Sequence, residues 1–217
     1  MRLTPLSVEV PMKGARLALV LILFCGSPAS ALPEEKAKEL IEAARSLLGV
    51  PYEFGGRMRR RGEGIDCQGV VFYALERIDG CGWKSFSTMP TQSVKDGEIG
   101  EPVSNLAPIL SEALDISVLE PGDHVRLLDF VQNPKEPNIG TLHGRPVWVW
   151  HVGLYVGSGR WLHADPIAGE VVEVDFAQYL AENAATYPGV FISRMKQGPT
   201  PAECRQNPPM KRRFQKR

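Results

Sequence analysis

WHVGLYVGSGRWLHAD, residues 150–165, reads as two β-strands around a tight turn, because apolar and aromatic residues alternate on either side of Gly157-Ser158-Gly159. Alternation along the first strand sets His151, Gly153 and Tyr155 on one face and Val152, Leu154 and Val156 on the other. A hairpin turning near Ser158 brings His163, twelve residues after His151, alongside the region from Tyr155 to His151. Neighbouring strands lie about 4.8 Å apart, so one histidine can orient the other. The small residue beside His151 leaves room for a substrate backbone.

Working outward, the same period of two recurs at HVRLLDF (His124 to Phe130), VWVWHVGLYV (Val147 to Val156), VVEVDF (Val171 to Phe176) and VFISRM (Val190 to Met195). Upstream the period changes. PEEKAKELIEAARSLL (Pro33 to Leu48) repeats apolar residues at spacings of three and four, with Glu34 and Glu35 in its first turn and Gly49 at its exit. A second helix is expected from Asp66 to Ile78, burying Val70, Val71, Ala74, Leu75 and Ile78. Residues 79–115 suggest loops with one or two short helices, and Val131 to Pro146 a long loop of the kind that borders a binding cleft. Helices first and antiparallel strands second indicate one α+β domain.

Composition is ordinary, 43% hydrophobic and 23% charged with a formal net charge of zero, which points neither to disorder nor to a nucleic-acid partner. The N-terminus carries Lys13 and Arg16, the apolar run Leu17 to Cys25, and Ala29-Ser30-Ala31. Those are the three parts of a secretory signal, with cleavage expected after Ala31. The run is too short to span a bilayer comfortably, and the alternative is a buried N-terminal helix. The expected organisation is a signal over 1–31, a domain over 32–196 and a flexible basic tail over 197–217. Residues 205–217 hold six Lys/Arg and no acid. The mature chain would be exported, periplasmic or secreted, with no stable membrane insertion. Cys67, Cys81 and Cys204 then remain, and either Cys81 pairs with Cys204, leaving Cys67 free, or all three are thiols.

DCQG, Asp66 to Gly69, opens the second helix. A cysteine there meets the positive end of the helix and its unpaired N–H groups, which favour thiolate. Taken alone, a cysteine there is more often a small buried residue than a nucleophile. No H-x-x-x-H, H-E-x-x-H or C-x-x-C spacing supports a metal, so no cofactor is expected. His124 and His143 read as structural or solvated, and Arg57, Arg59, Arg60 and Arg61 as a solvated loop from which one arginine could clamp a carboxylate.

In order, GVPYEFGG (Gly49 to Gly56), DCQG, LEPGDHV, HVGLYVGSG and WLHAD resemble the signature blocks of the NlpC-type cell-wall cysteine peptidases. The resemblance covers about residues 36–195 and implies a papain-like NlpC-type domain, with N-terminal helices packed on an antiparallel sheet. It implies hydrolysis of peptide bonds in peptidoglycan stem peptides, typically from the γ-carboxyl of D-glutamate to the diamino acid. By position, Cys67 matches the nucleophile, His151 the base, His163 the orienting residue and Tyr52 a tyrosine lining the pocket. Asp66 matches an acid that holds the free amine of the stem, or simply caps its helix. Gln68 stands where many relatives have serine and could reach the substrate or narrow the site. A non-hydrolytic wall-binding module, or acyl transfer or amide hydrolysis on a non-wall substrate, are the rival readings.

Overall fold

The computed structural model describes residues 32–58 and 63–195. Helix α1 (Glu34–Arg45) starts behind Pro33, whose φ of −53° suits a helix entrance, and buries Ala37, Leu40, Ile41 and Ala44. It ends three residues before Leu48, because the chain unwinds through Ser46 and reverses at Gly49, where φ is +77°. Helix α2 (Cys67–Asp79) is fixed at both ends. Asp66 Oδ1 accepts from the Gly69 N–H at 2.6 Å, and Gly80, at φ +70°, closes the last turn by donating to the Glu76 carbonyl at 3.0 Å.

The sheet holds β1 (Glu101–Pro102), β2 (Ile109–Leu110), β3 (His124–Asp129), β4 (Gly140–Leu142), β5 (Arg145–Gly157), β6 (Arg160–Asp165), β7 (Glu170–Asp175) and β8 (Gly189–Arg194). Its order is β1-β8-β3-β5-β6-β7, with β2 pairing β8 and β4 pairing β5, and all pairs are antiparallel. Each strand foreseen in the sequence is present within about two residues. A short helix α3 (Pro90–Lys95) lies in the connection before β1, and α4 (Phe176–Asn183) follows β7 directly.

Alternation divides the side chains between two cores. On one face Val152, Leu154, Leu162 and Leu128 pack with Leu40, Ile41, Val70, Val71 and Leu75 of α1 and α2. On the other, Val125, Leu127, Tyr155, Trp161, Val190 and Ile192 pack with Phe176 and Leu180 of α4. The sheet is thus covered on both sides, which its continuous apolar strands require. The expected loop 131–146 contains β4 and its turn to β5, where His143 (φ +49°) is exposed.

Cys81 is disulfide-bonded and Cys67 is free. That excludes three unpaired thiols. The other half of the bond, and with it the expected Cys204, lies outside the described residues, as do the signal and tail segments.

Candidate active site

Helix α2 begins at Cys67, and the strand pair β5–β6 carries the two histidines. Residues Leu154 and Leu162 face each other, as do Tyr155 and Trp161, and the ladder ends there. Beyond that end, His151 Nε2 lies 2.7 Å from His163 Nδ1, with the rings edge to face at 84°. The hairpin therefore delivers the pairing that its spacing suggested. On the other flank of β5, Leu127 faces His151 while Leu128 faces Val149, so Trp150 is an extra residue in a bulge. Bulges re-aim neighbouring side chains, and this one adjoins the histidine.

Cys67 is half-buried at the start of α2. The backbone N–H groups of Val152, the residue after His151, and of Gln68 lie close enough to the sulfur to favour its anion. Tyr52, Tyr179 and Tyr187 all feel the charge of Cys67, so three phenols surround the nucleophile candidate. Tyr179 meets the His163 ring edge-on at 4.9 Å, and Tyr187 stacks with His151 at 6.2 Å. No motif marks either tyrosine in the sequence: Tyr179 sits on α4 and Tyr187 in the connection to β8.

Burial sets the protonation states. It pushes the Cys67 thiol up to about 12, with the Asp66 carboxylate acting in the same direction against the Val152 and Gln68 N–H groups. It lowers His151 to about 4, against the opposing charge of Asp165, and holds His163 far below the usual imidazole range. Burial thus shifts the balance toward the neutral thiol–imidazole pair and away from the thiolate that the helix end alone would favour. With both rings neutral, either nitrogen of the pair can carry the shared hydrogen, and the tautomer that suits a base is the one in which His151 Nε2–H donates to His163 Nδ1. That tautomer leaves His151 Nδ1 as the free base. His163 Nε2 then carries the proton and is buried without a protein partner.

Gly153 does something other than the sequence suggested. A Cβ there would come within 2.6 Å of the Leu162 carbonyl oxygen and of Trp161 Cε2 and Nε1. The space beside His151 is filled by the Trp161 indole, which stacks under His163 at 4.0 Å and 17° and meets His151 edge-on at 5.6 Å. No room for a substrate backbone exists on that face. Trp161 is a fully buried floor for both imidazoles.

Asp66 is heavily committed. Besides capping α2 through Oδ1, its Oδ2 accepts from the Gly55 N–H at 3.1 Å and pairs with Arg57 Nη1. Both side chains of that ion pair are more than nine-tenths buried. Arg57 is therefore no solvated clamp. It also donates from Nη2 to Gln68 Oε1 at 3.5 Å and from Nη1 to the carbonyl oxygen of the preceding Gly56 at 2.7 Å. Arg59, Arg60 and Arg61 lie outside the described residues. Tyr52 is held by its N–H to the Gly169 carbonyl at 2.8 Å, on the loop after β6. Among the described residues, no three His, Cys, Asp or Glu are grouped to hold a metal ion.

No protein-family model matches the chain. Two curated relatives from Bacillus subtilis do. One is a gamma-D-glutamyl-L-lysine dipeptidyl-peptidase, 27% identical over 138 residues, covering 64% of this chain and 35% of that protein. The other is a gamma-DL-glutamyl hydrolase, 28% identical over 125 residues, covering 58% of this chain and 22% of that protein. A Staphylococcus aureus structure described as similar to lipoprotein, of the NLP/P60 family, superposes with a TM-score of 0.50 at 16% identity over 79% of this chain and 45% of that one. The fold is the NlpC/p60 fold. The resemblance to NlpC-type peptidases that the sequence blocks carried is thereby matched in three dimensions, and the helices and antiparallel sheet are those of the NlpC/p60 structures. The chain matches about a third or less of the length of the two curated relatives.

Burying neutral histidines has a consequence for this NlpC/p60 fold that solution measurements can read. The unfolded chain takes up protons near pH 6.5 that native His151 refuses until about pH 4. His163 and the buried His124 are shifted in the same direction. Stability is therefore full above pH 6.5 and falls as pH drops toward 4, by up to about 1.4 kcal/mol per pH unit for each histidine. Urea midpoints at pH 7 and 4.5 should differ clearly, and His151→Phe should shrink the difference. A midpoint that is flat across this window would refute the neutral-histidine assignment.

Proposed function

We propose that the chain is a cysteine-type hydrolase of peptidoglycan stem peptides, cutting the bond between the γ-carboxyl of D-glutamate and the diamino acid. The observation that carries this reading is the 2.7 Å contact between His151 Nε2 and His163 Nδ1, beside a free cysteine at a helix start. It is the base-and-orienter half of a nucleophilic triad. The names of the two relatives, both of which act at γ-glutamyl bonds, supply the substrate class.

In this reading His151 Nδ1 takes the Cys67 proton as sulfur attacks the amide carbonyl. The imidazolium so formed is held by the lone pair of His163 Nδ1. His151 then returns the proton to the departing amine, and a water activated by the same nitrogen cleaves the thioester. The Cys67 backbone N–H is the natural first donor to the oxyanion. Tyr52 flanks the nucleophile and would contact the stem peptide, whereas the Gln68 side chain is engaged by Arg57 and borders the cavity beside Arg126. A free amine of the stem would have to share Asp66 with Arg57, Gly55 and Gly69, so Asp66 acts first as the brace of the nucleophile helix. Action outside the cytoplasm agrees with the disulfide at Cys81.

The test uses purified sacculi and defined muropeptides, with products identified by mass spectrometry. Cleavage at the γ-glutamyl–diamino acid bond is expected, abolished by iodoacetamide and untouched by EDTA. A folded protein that releases no stem fragment from either substrate would sink the peptidase reading and favour a wall-binding module.

A further inference from the structure

We propose that Arg126 and His124 form an internal site for a monoatomic anion of the halide class, behind the nucleophile helix. Arg126 is fully buried on β3, yet among the described residues no carboxylate lies within ion-pair distance of it. Two of its nitrogens have neutral partners: Nη1 donates to Ser193 Oγ at 2.7 Å and Nη2 to the Ile99 carbonyl at 3.4 Å. Its Nε has none. Burial lowers the group to about 9, which still leaves it charged at neutral pH. The guanidinium also lies over the Phe191 ring, 5.8 Å from its centroid, which offsets only part of the cost of a buried charge without a counter-ion, so an anion would balance the rest.

Arg126 lines a small cavity together with His124, Ser93 and Gln68, closed by Val71 and Phe72 of α2. His124 is 4% exposed, and neither of its ring nitrogens has a protein partner. A guanidinium with one unpaired N–H and an imidazole with both nitrogens unpaired thus belong to residues bordering the same void. Glu98, the acid on the covering loop, is engaged by the Ser87 N–H at 2.6 Å. The charged group bordering the void is a cation and, among the described residues, no acid lines it, so the occupant that balances it is an anion. The void has room for one small sphere, which excludes phosphate, sulfate or a peptide carboxylate and leaves a monoatomic anion such as chloride.

This site rests on no assumption about catalysis, and its test does not use activity. Thermal unfolding of the full chain is followed at constant ionic strength while chloride replaces gluconate. Tm should rise by roughly 5 °C toward saturating chloride, as for a ligand at about a hundred times its Kd. Arg126→Met, close in shape and uncharged, should show no anion dependence. Crystals grown or soaked in bromide should give an anomalous peak beside Arg126 Nε. Equal Tm in both anions, a shift that survives in Arg126→Met, or bromide absent from the cavity would each overturn the proposal. Should Arg126→Met fail to fold, the bromide position in the wild-type protein decides alone.

Discussion

Cys67→Ala is expected to lower kcat/KM on a stem peptide by about 10³-fold or more while leaving Tm within a few degrees of wild type. The side chain is half-buried and contributes one atom to packing, whereas in the proposed mechanism every covalent step passes through its sulfur. His151→Ala should cost nearly as much, because nucleophile and base act as a unit. His163 touches no reacting atom, so His163→Asn, which keeps an acceptor beside His151 Nε2, should retain more activity than His163→Ala. Measuring kcat/KM and Tm on the same preparations separates chemistry from folding. A Cys67→Ala protein that still turns over would remove the nucleophile from the mechanism. Equal losses in the two His163 variants would remove the orienting role.

Gly153→Val should destabilise the protein by about 3 kcal/mol or more and abolish activity with it. Its Cβ would meet the Leu162 carbonyl oxygen at 2.6 Å, a backbone atom that can retreat only by opening the β5–β6 ladder. It would also meet the Trp161 indole at 2.6 Å, and that ring supports His163. The added branches can only enlarge the clash. Urea unfolding measures the first effect, and a changed environment of Trp161 should appear in the tryptophan fluorescence. A Gly153→Val protein of wild-type stability would mean that the two strands are not held this close.

Much of this molecule could be read from one sequence because its signals are local. Alternation fixed the faces of β5, with Val152 and Leu154 against the helices and His151 and Tyr155 opposite. The Gly-Ser-Gly turn set the register that brings His163 to His151. Asp66 announced a helix start and occupies that position. What escaped depends on tertiary distance. Whether Gly153 frees space or admits an indole is decided by Trp161 on the next strand, and alternation along one strand cannot tell. Arg57 and Asp66 are nine residues apart in a segment without regular structure, so their buried pairing had no sequence signature. Arg126 sits in a strand that reads as ordinary, and its isolation is visible only once the acids are placed. Helix α4 was legible and overlooked: Asp175 caps it by accepting from the Gln178 N–H at 2.9 Å, a spacing present in the sequence.

The last described strand is an interior one. β8 lies between β1 and β3, and β3 in turn borders β5, which carries His151. A chain emerging from its N-terminus has Cys67, His151 and His163 long before residues 189–194 exist to seat beside β3. Until they arrive, β3 offers an open edge, and the face that buries Arg126 against Phe191 and Ser193 is unfinished. Assembly of the hydrolytic centre is thereby tied to delivery of nearly the whole domain, so a partly translated or clipped chain would carry all three residues and remain inert.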